Sequence, residues 1–152
     1  MTMKRTVIRG TGRFLPPRVV TNEDLTAWMD TSDEWIRQRT GIEQRHWIPQ
    51  EGGVGASDLG CEASKIALRR SGWTPADIDL IIFATLSPDY FFPGSGCLMQ
   101  RKLGMQSTPA LDIRQQCTGF LYGLTTADAY IRSGLANRIL LVGAEVHSTG
   151  LD

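Results

Sequence analysis

The sequence predicts an α/β fold on a mainly parallel sheet. Residues 79–85 and 138–144 are almost unbroken apolar runs, as strands covered on both faces are. Between the strand candidates the apolar residues return at helical spacing, with short links. Strand, helix, strand, helix, strand in that order makes successive crossovers and parallel pairing.

Residues 5–9 read as a first strand that ends at Gly10-Thr-Gly12. Pro16-Pro17 makes a turn, and Thr21 opens a short helix as N-cap with Asp24 three residues on. Ser32 starts a second helix that carries Trp35 and Ile36 and stops at Gly41. Residues 43–56 hold Pro49 and several glycines and read as loop. From Ser57 the apolar positions Leu59, Ala63, Ile66 and Ala67 define a helix closed by Gly72, and Thr74-Pro75 opens a brief turn. After strand 79–85 comes a loop of Pro, Gly and aromatics, then a helix to Leu103-Gly104. Strand 109–114 follows, then a helix to Gly134 with Phe120, Leu124, Ala127 and Ile131 as its apolar face, and last the strand 138–144.

Composition excludes several classes of function. The 152 residues include 16 Lys+Arg and 16 Asp+Glu, a formal net charge of zero, so nucleic acid and anionic membrane surfaces are not expected as main partners. With 41% hydrophobic residues the chain can build a core, yet no apolar run is long enough to span a bilayer. The amino terminus has no apolar stretch of the secretory type. Three cysteines, Cys61, Cys97 and Cys117, fit a reducing cytoplasmic setting.

Cys117 is the most informative of the three. It lies past a strand and at the start of a helix, where open α/β sheets bind ligands and where a helix N-terminus favours thiolate over thiol. Gly119 lets the backbone come close to whatever the sulfur attacks. Position alone leaves two readings open, a nucleophile or a small core residue. Cys61 and Cys97 fall inside helices and are expected in the core. His46 is expected in an exposed loop, and His147 just past the last strand, at the same end of the sheet as Cys117. Neither histidine has metal-ligand spacing. Gly10-Thr-Gly12 lacks the third glycine of a dinucleotide fingerprint and reads as a turn. Trp35 with Arg37 and Arg39 on one short helix has the makings of a base-stacking and phosphate-holding patch, or of a packed amphipathic face.

Several motifs, in order, give a sharper reading. They are Ile8-Arg-Gly-Thr-Gly12 with Leu15-Pro16, Asp30-Thr-Ser-Asp-Glu-Trp-Ile36, Arg39-Thr-Gly-Ile42, the strand 80–85, Phe92-Pro93 and Cys117-Thr-Gly-Phe120. With these the chain resembles the amino-terminal half of β-ketoacyl-acyl-carrier-protein synthase III, a family of thiolase-like condensing enzymes. The resemblance implies a layered thiolase-like fold with a mainly parallel mixed sheet. It also implies that residues 1–152 are an amino-terminal domain cut before its last strand, with the carboxy-terminal half and its catalytic His and Asn absent.

For the site, the resemblance implies that Cys117 takes an acyl group from coenzyme A as a thioester. Trp35 would stack on the adenine, with Arg39 and Thr40 on the nucleotide. Phe92 would cross a dimer interface to shape the partner's acyl pocket. The reaction implied is decarboxylative condensation with malonyl-acyl-carrier protein in fatty-acid or related synthesis. Acyl-CoA enters as substrate, with no resident cofactor or metal, and a cytoplasmic homodimer is the expected assembly of the whole enzyme. Two other readings are transfer of the acyl group to a non-malonyl acceptor, and a non-catalytic subunit that needs the other half. Gln115-Gln116 depart from the family, whose members usually place small residues before the nucleophile.

Overall fold

The computed structural model describes residues 4–150. They form two compact units: one from residues 4–14 and 55–147, the other from residues 15–54 with 148–150.

The first unit is a three-layer sandwich. Its sheet has the order β4-β3-β5, from β3 (Leu80–Ala84), β4 (Ala110–Ile113) and β5 (Ile139–Gly143). Both pairings are parallel, with Ile82 opposite Leu111 on one side and Leu141 on the other. Every residue of β3 is buried, which is why this strand is apolar throughout.

Strand alternation divides the core between the two faces. On one face Ile81, Phe83, Leu140 and Val142 pack with residues of α3 (Ala56–Ser71) and α4 (Ser95–Lys102), among them Cys61, Leu68 and Met99. On the other, Leu80 and Ile82 meet Ala127 and Tyr130 of α5 (Gly119–Ser133). A 3-10 turn, Pro75–Asp77, joins α3 to β3.

The second unit is small. Strand β1 (Arg18–Thr21) pairs antiparallel with β2 (Gln44–Trp47), and between them lie α1 (Asn22–Leu25) and α2 (Asp33–Thr40). Its core is Val20, Leu25, Ile36 and Trp47. The local signals act as read. Thr21 accepts from the Asp24 N–H, Ser32 caps α2, and Gly41 ends it in the left-handed region at φ 69°.

Five expectations need correction. The strand at residues 5–9 is absent. Among the described residues it has no partner strand, and it is fastened instead by side chains, Lys4 Nζ to Asn137 and the Thr6 hydroxyl to Asp128. The supposed loop 43–56 contains β2, whose alternation is hidden because Gln44, Arg45 and His46 are all polar. His46 is therefore half-buried in a strand, with Nδ1 2.6 Å from the Pro16 carbonyl.

The face of α5 is also offset from the expected one. Gly119, Gly123 and Ala127 are its buried residues, while Phe120 and Leu124 are exposed. A Cβ on Gly123 would come 2.5 Å from a Leu141 methyl, so the small residues let α5 sit close on the sheet. Lastly, Cys97 is exposed on α4, whereas Cys61 is buried as expected.

Candidate active site

The three parallel strands end together, at Ala84, Ile113 and Gly143, and the turn carrying Cys117 lies over these ends. Arg114, Gln115 and Gln116 lead from β4 to Cys117, and Thr118 caps α5. The Gly119 N–H donates to the Gln116 carbonyl at 2.8 Å, which tightens the turn. Buried Gly119 faces Ala84 of β3, and Phe120 lies against Gly143 of β5.

Cys117 is a free, exposed cysteine. It precedes a fifteen-residue helix whose N-cap, Thr118, makes no side-chain bond to the helix backbone and whose first turn holds no acidic residue. No side chain of that first turn competes for the positive end of the helix dipole. Cys61 is buried on α3, and burial pushes its thiol up, away from the reactive form.

The loop after β3 is held in place by carboxylates. Glu145, two residues past β5, accepts from the Leu86 N–H at 2.7 Å, the Ser87 N–H at 3.0 Å, the Ser87 hydroxyl at 2.6 Å and the Thr85 hydroxyl at 3.2 Å. Asp89 accepts from the Ser57 N–H at 3.0 Å and hydroxyl at 2.8 Å, and from the Ser95 hydroxyl at 2.7 Å, which joins the loop to α3 and α4. Asp112 of β4 accepts the Gly96 N–H of α4 at 2.9 Å. The same loop carries Phe92, which is 91% exposed and joined to Pro93 by a cis peptide.

Trp35, Arg39 and Thr40 lie in the other unit, on α2. Arg39 places its guanidinium 4.4 Å from the centroid of the Trp35 ring, and Trp35 is 51% exposed. Arg37 points its charge elsewhere, into ion pairs with Asp33 at 2.8 Å and Glu43 at 2.9 Å. The Thr40 hydroxyl donates to the Ile36 carbonyl at 2.8 Å and accepts the Ile42 N–H at 3.0 Å, finishing the helix. Among the described residues no group of His, Cys, Asp and Glu is placed to hold a metal ion. No helix among them is long and apolar enough to cross a membrane.

Comparison with known proteins places this geometry. The chain is 53% identical over 150 residues to β-ketoacyl-[acyl-carrier-protein] synthase III of Rhizobium johnstonii, covering 99% of this chain and 46% of that protein. Residues 111–152 match the family model of 3-oxoacyl-[acyl-carrier-protein] synthase III, the same activity under its other chemical name. The chain belongs to the 3-oxoacyl-[acyl-carrier-protein] synthase III family.

Within that family the chain corresponds to the amino-terminal portion, and it spans about half the length of the curated relatives it matches. Its fold is the thiolase-like one expected, by likeness to solved synthases. The synthase III of Aquifex aeolicus VF5 superposes with a TM-score of 0.89 at 44% identity, over 95% of this chain and 46% of that one. The synthase III of Pseudomonas aeruginosa PAO1 gives 0.88 at 37% identity, over 96% and 44%.

Beside the family motifs, the structure singles out Glu145, Asp89, Asp112 and Arg114, none of which the sequence reading chose. The available signal was position: Glu145 and Arg114 come one or two residues after apolar strands, where side chains meet the loops that build a site.

Proposed function

We propose that this chain supplies the acyl-accepting portion of a condensing acyltransferase. The Cys117 sulfur attacks the thioester carbonyl of an acyl-CoA, the coenzyme A thiolate leaves, and the acyl group stays on Cys117 as a thioester. Malonyl-acyl-carrier protein then loses carbon dioxide. The carbanion left behind attacks the acyl-Cys117 carbonyl and releases the cysteine thiolate with a 3-ketoacyl product two carbons longer. The backbone N–H at Cys117 is the natural donor to the oxyanion formed in both attacks. The groups that drive decarboxylation belong, by resemblance, to the carboxy-terminal half of such enzymes.

On α2, Trp35 stacks on the adenine of coenzyme A, and Arg39 and Thr40 contact the rest of the nucleotide. Phe92 reaches into the acyl pocket of a second copy, making the whole enzyme a homodimer. Acyl-CoA and acyl-carrier protein are then its partners, no resident cofactor is needed, and the cytoplasm keeps Cys117 reduced. The observation that carries this reading is the place of Cys117, exposed on the turn where three parallel strands end and α5 begins.

The test is to incubate the complete protein with an acyl-CoA and locate the adduct by peptide mass spectrometry. The acyl mass is expected on Cys117 and absent from Cys117→Ala, and malonyl-acyl-carrier protein then releases carbon dioxide. An adduct on another residue overturns the role of Cys117. Acyl transfer without release of carbon dioxide favours a non-malonyl acceptor.

A further inference from the structure

The loop between β3 and α4 carries three consecutive aromatic residues with almost no cover: Tyr90 is 62% exposed, Phe91 95% and Phe92 91%. An uncovered tip of this kind gains little order from burial, so its shape depends on its backbone hydrogen bonds. Glu145 and Asp89 hold the loop below the tip, at Leu86, Ser87 and Asp89 itself.

At the tip the partner is Arg114. Its Nη2 donates to the Tyr90 carbonyl at 3.1 Å and to the Phe91 carbonyl at 3.3 Å. Arg114 comes from neither end of this loop. It is the first residue past β4, three positions before Cys117. A guanidinium suits the task, since it is planar, always charged and able to serve two carbonyls at once.

We infer that Arg114 is a positioning residue for acyl-chain selectivity, fastening the aromatic tip that carries Phe92 to the turn that carries Cys117. This rests on the reading above, in which Cys117 holds the acyl group and Phe92 lines an acyl pocket. The thioester fixes one end of the chain at Cys117 of one copy, and the wall contributed by the tip of the other bounds how much chain is accommodated. Arg114 sets the tip's reference point within its own copy, on the turn that carries that copy's nucleophile. Because Arg114 is exposed, its bonds contribute little to global stability and act on where the tip rests.

The test compares the complete wild-type protein with Arg114→Ala and Arg114→Lys. Three quantities are measured: Cys117 acylation, the ratio of kcat/KM for two-carbon and eight-carbon acyl-CoA, and amide hydrogen exchange. In Arg114→Ala the ratio is expected to shift about fivefold. Amides of residues 90–92 exchange faster, while the thermal midpoint stays within about 2 °C. Arg114→Lys, which keeps the charge but not the fork, recovers part of the ratio. An unchanged ratio in an Arg114→Ala protein that still acylates Cys117 overturns the inference. So does a ratio shift of the same size in both variants with a large fall in thermal midpoint. If wild-type protein forms no acyl-Cys117, the functional reading has failed instead. The exchange measurement then still decides whether Arg114 holds the tip, unchanged protection counting against it.

Discussion

Glu145 and Ser87 grip each other across the ends of β5 and β3. One carboxylate oxygen of Glu145 takes both the Ser87 N–H, at 3.0 Å, and its hydroxyl, at 2.6 Å. The Ser87 Oγ in turn accepts the Val146 N–H at 2.7 Å. Two segments nearly sixty residues apart in sequence are closed on one another by a single carboxylate and a single hydroxyl.

Replacing Glu145 by Gln turns part of that acceptor into a donor facing other donors. The expected loss is about 2 kcal/mol of stability, because the N–H groups of Leu86 and Ser87 lose a charged acceptor. Hydrogen exchange at those two amides is the direct measurement, and protection equal to wild type contradicts the clamp.

Gly12 and Gly123 both lie where a Cβ does not fit, but against different obstacles. At Gly12 a Cβ would run into the Ala63 carbonyl of α3, a backbone atom that cannot step aside. Gly12→Ala is expected to lose about 3 kcal/mol. At Gly123 the nearest atom is the end of the Leu141 side chain, and alanine gains about 1 kcal/mol of helix propensity over glycine. Gly123→Ala is therefore expected within about 1 kcal/mol of wild type. Urea unfolding of both variants checks the contrast.

Asp58 gives a pH signature. Burial pushes its carboxyl up, but the Gly55 N–H and the Lys102 ammonium outweigh that and hold it below the usual carboxylate range. A folded pKa below the unfolded value means stabilisation that is present above the unfolded pKa, about 3.9. It is lost as pH falls through the folded one. Asp58→Asn is expected to lose only about 0.5 kcal/mol at neutral pH, since the pair is exposed at 35% and 38% and screened by water. The stability curves of wild type and variant converge as pH falls toward 2, which acid titration of unfolding reads directly.

On α2 the cations divide by partner. If Trp35 stacks on adenine, Trp35→Ala weakens coenzyme A binding about tenfold. Arg39→Ala, which removes the cation over that ring, weakens it about threefold. Arg37→Ala breaks the pairs with Asp33 and Glu43 and leaves coenzyme A affinity near wild type. Calorimetric titration of the complete protein with coenzyme A separates the three.

The parts of the fold that could be read in advance are those with local causes. Ser32, Gly41, Gly72 and Gly134 mark helix ends because capping and left-handed backbone are set within a few residues. The run 80–84 is legible because both its faces are covered. What was missed depends on distant partners. Val7 and Ile8 have strand propensity, yet no neighbouring strand meets them among the described residues. β2 owes its existence to β1, more than twenty residues earlier, and not to any apolar alternation of its own.

The site divides the same way. Trp35, Arg39, Thr40, Phe92 and Cys117 were named from motifs, whereas Arg114 and Glu145 become visible only when Tyr90 and Ser87 are brought to them. On α5 the expected face holds Ala127, which is buried, but also Phe120 and Leu124, which are exposed. Close approach to the sheet selects the small residues beside them.

The opening segment of the chain bears on how the protein is made. Lys4 bonds Asn137 and Thr6 bonds Asp128, contacts that span 133 and 122 positions. A ribosome delivers Thr6 long before Asp128 exists, so Lys4 and Thr6 wait for their partners while α3, β3, α4 and β4 are synthesised, whereas Thr11 meets Arg70 as soon as α3 has formed. Contacts between such remote positions slow folding. Residues 4–6 are thus among the last of the described residues to settle, and the sandwich closes only after α5 has emerged.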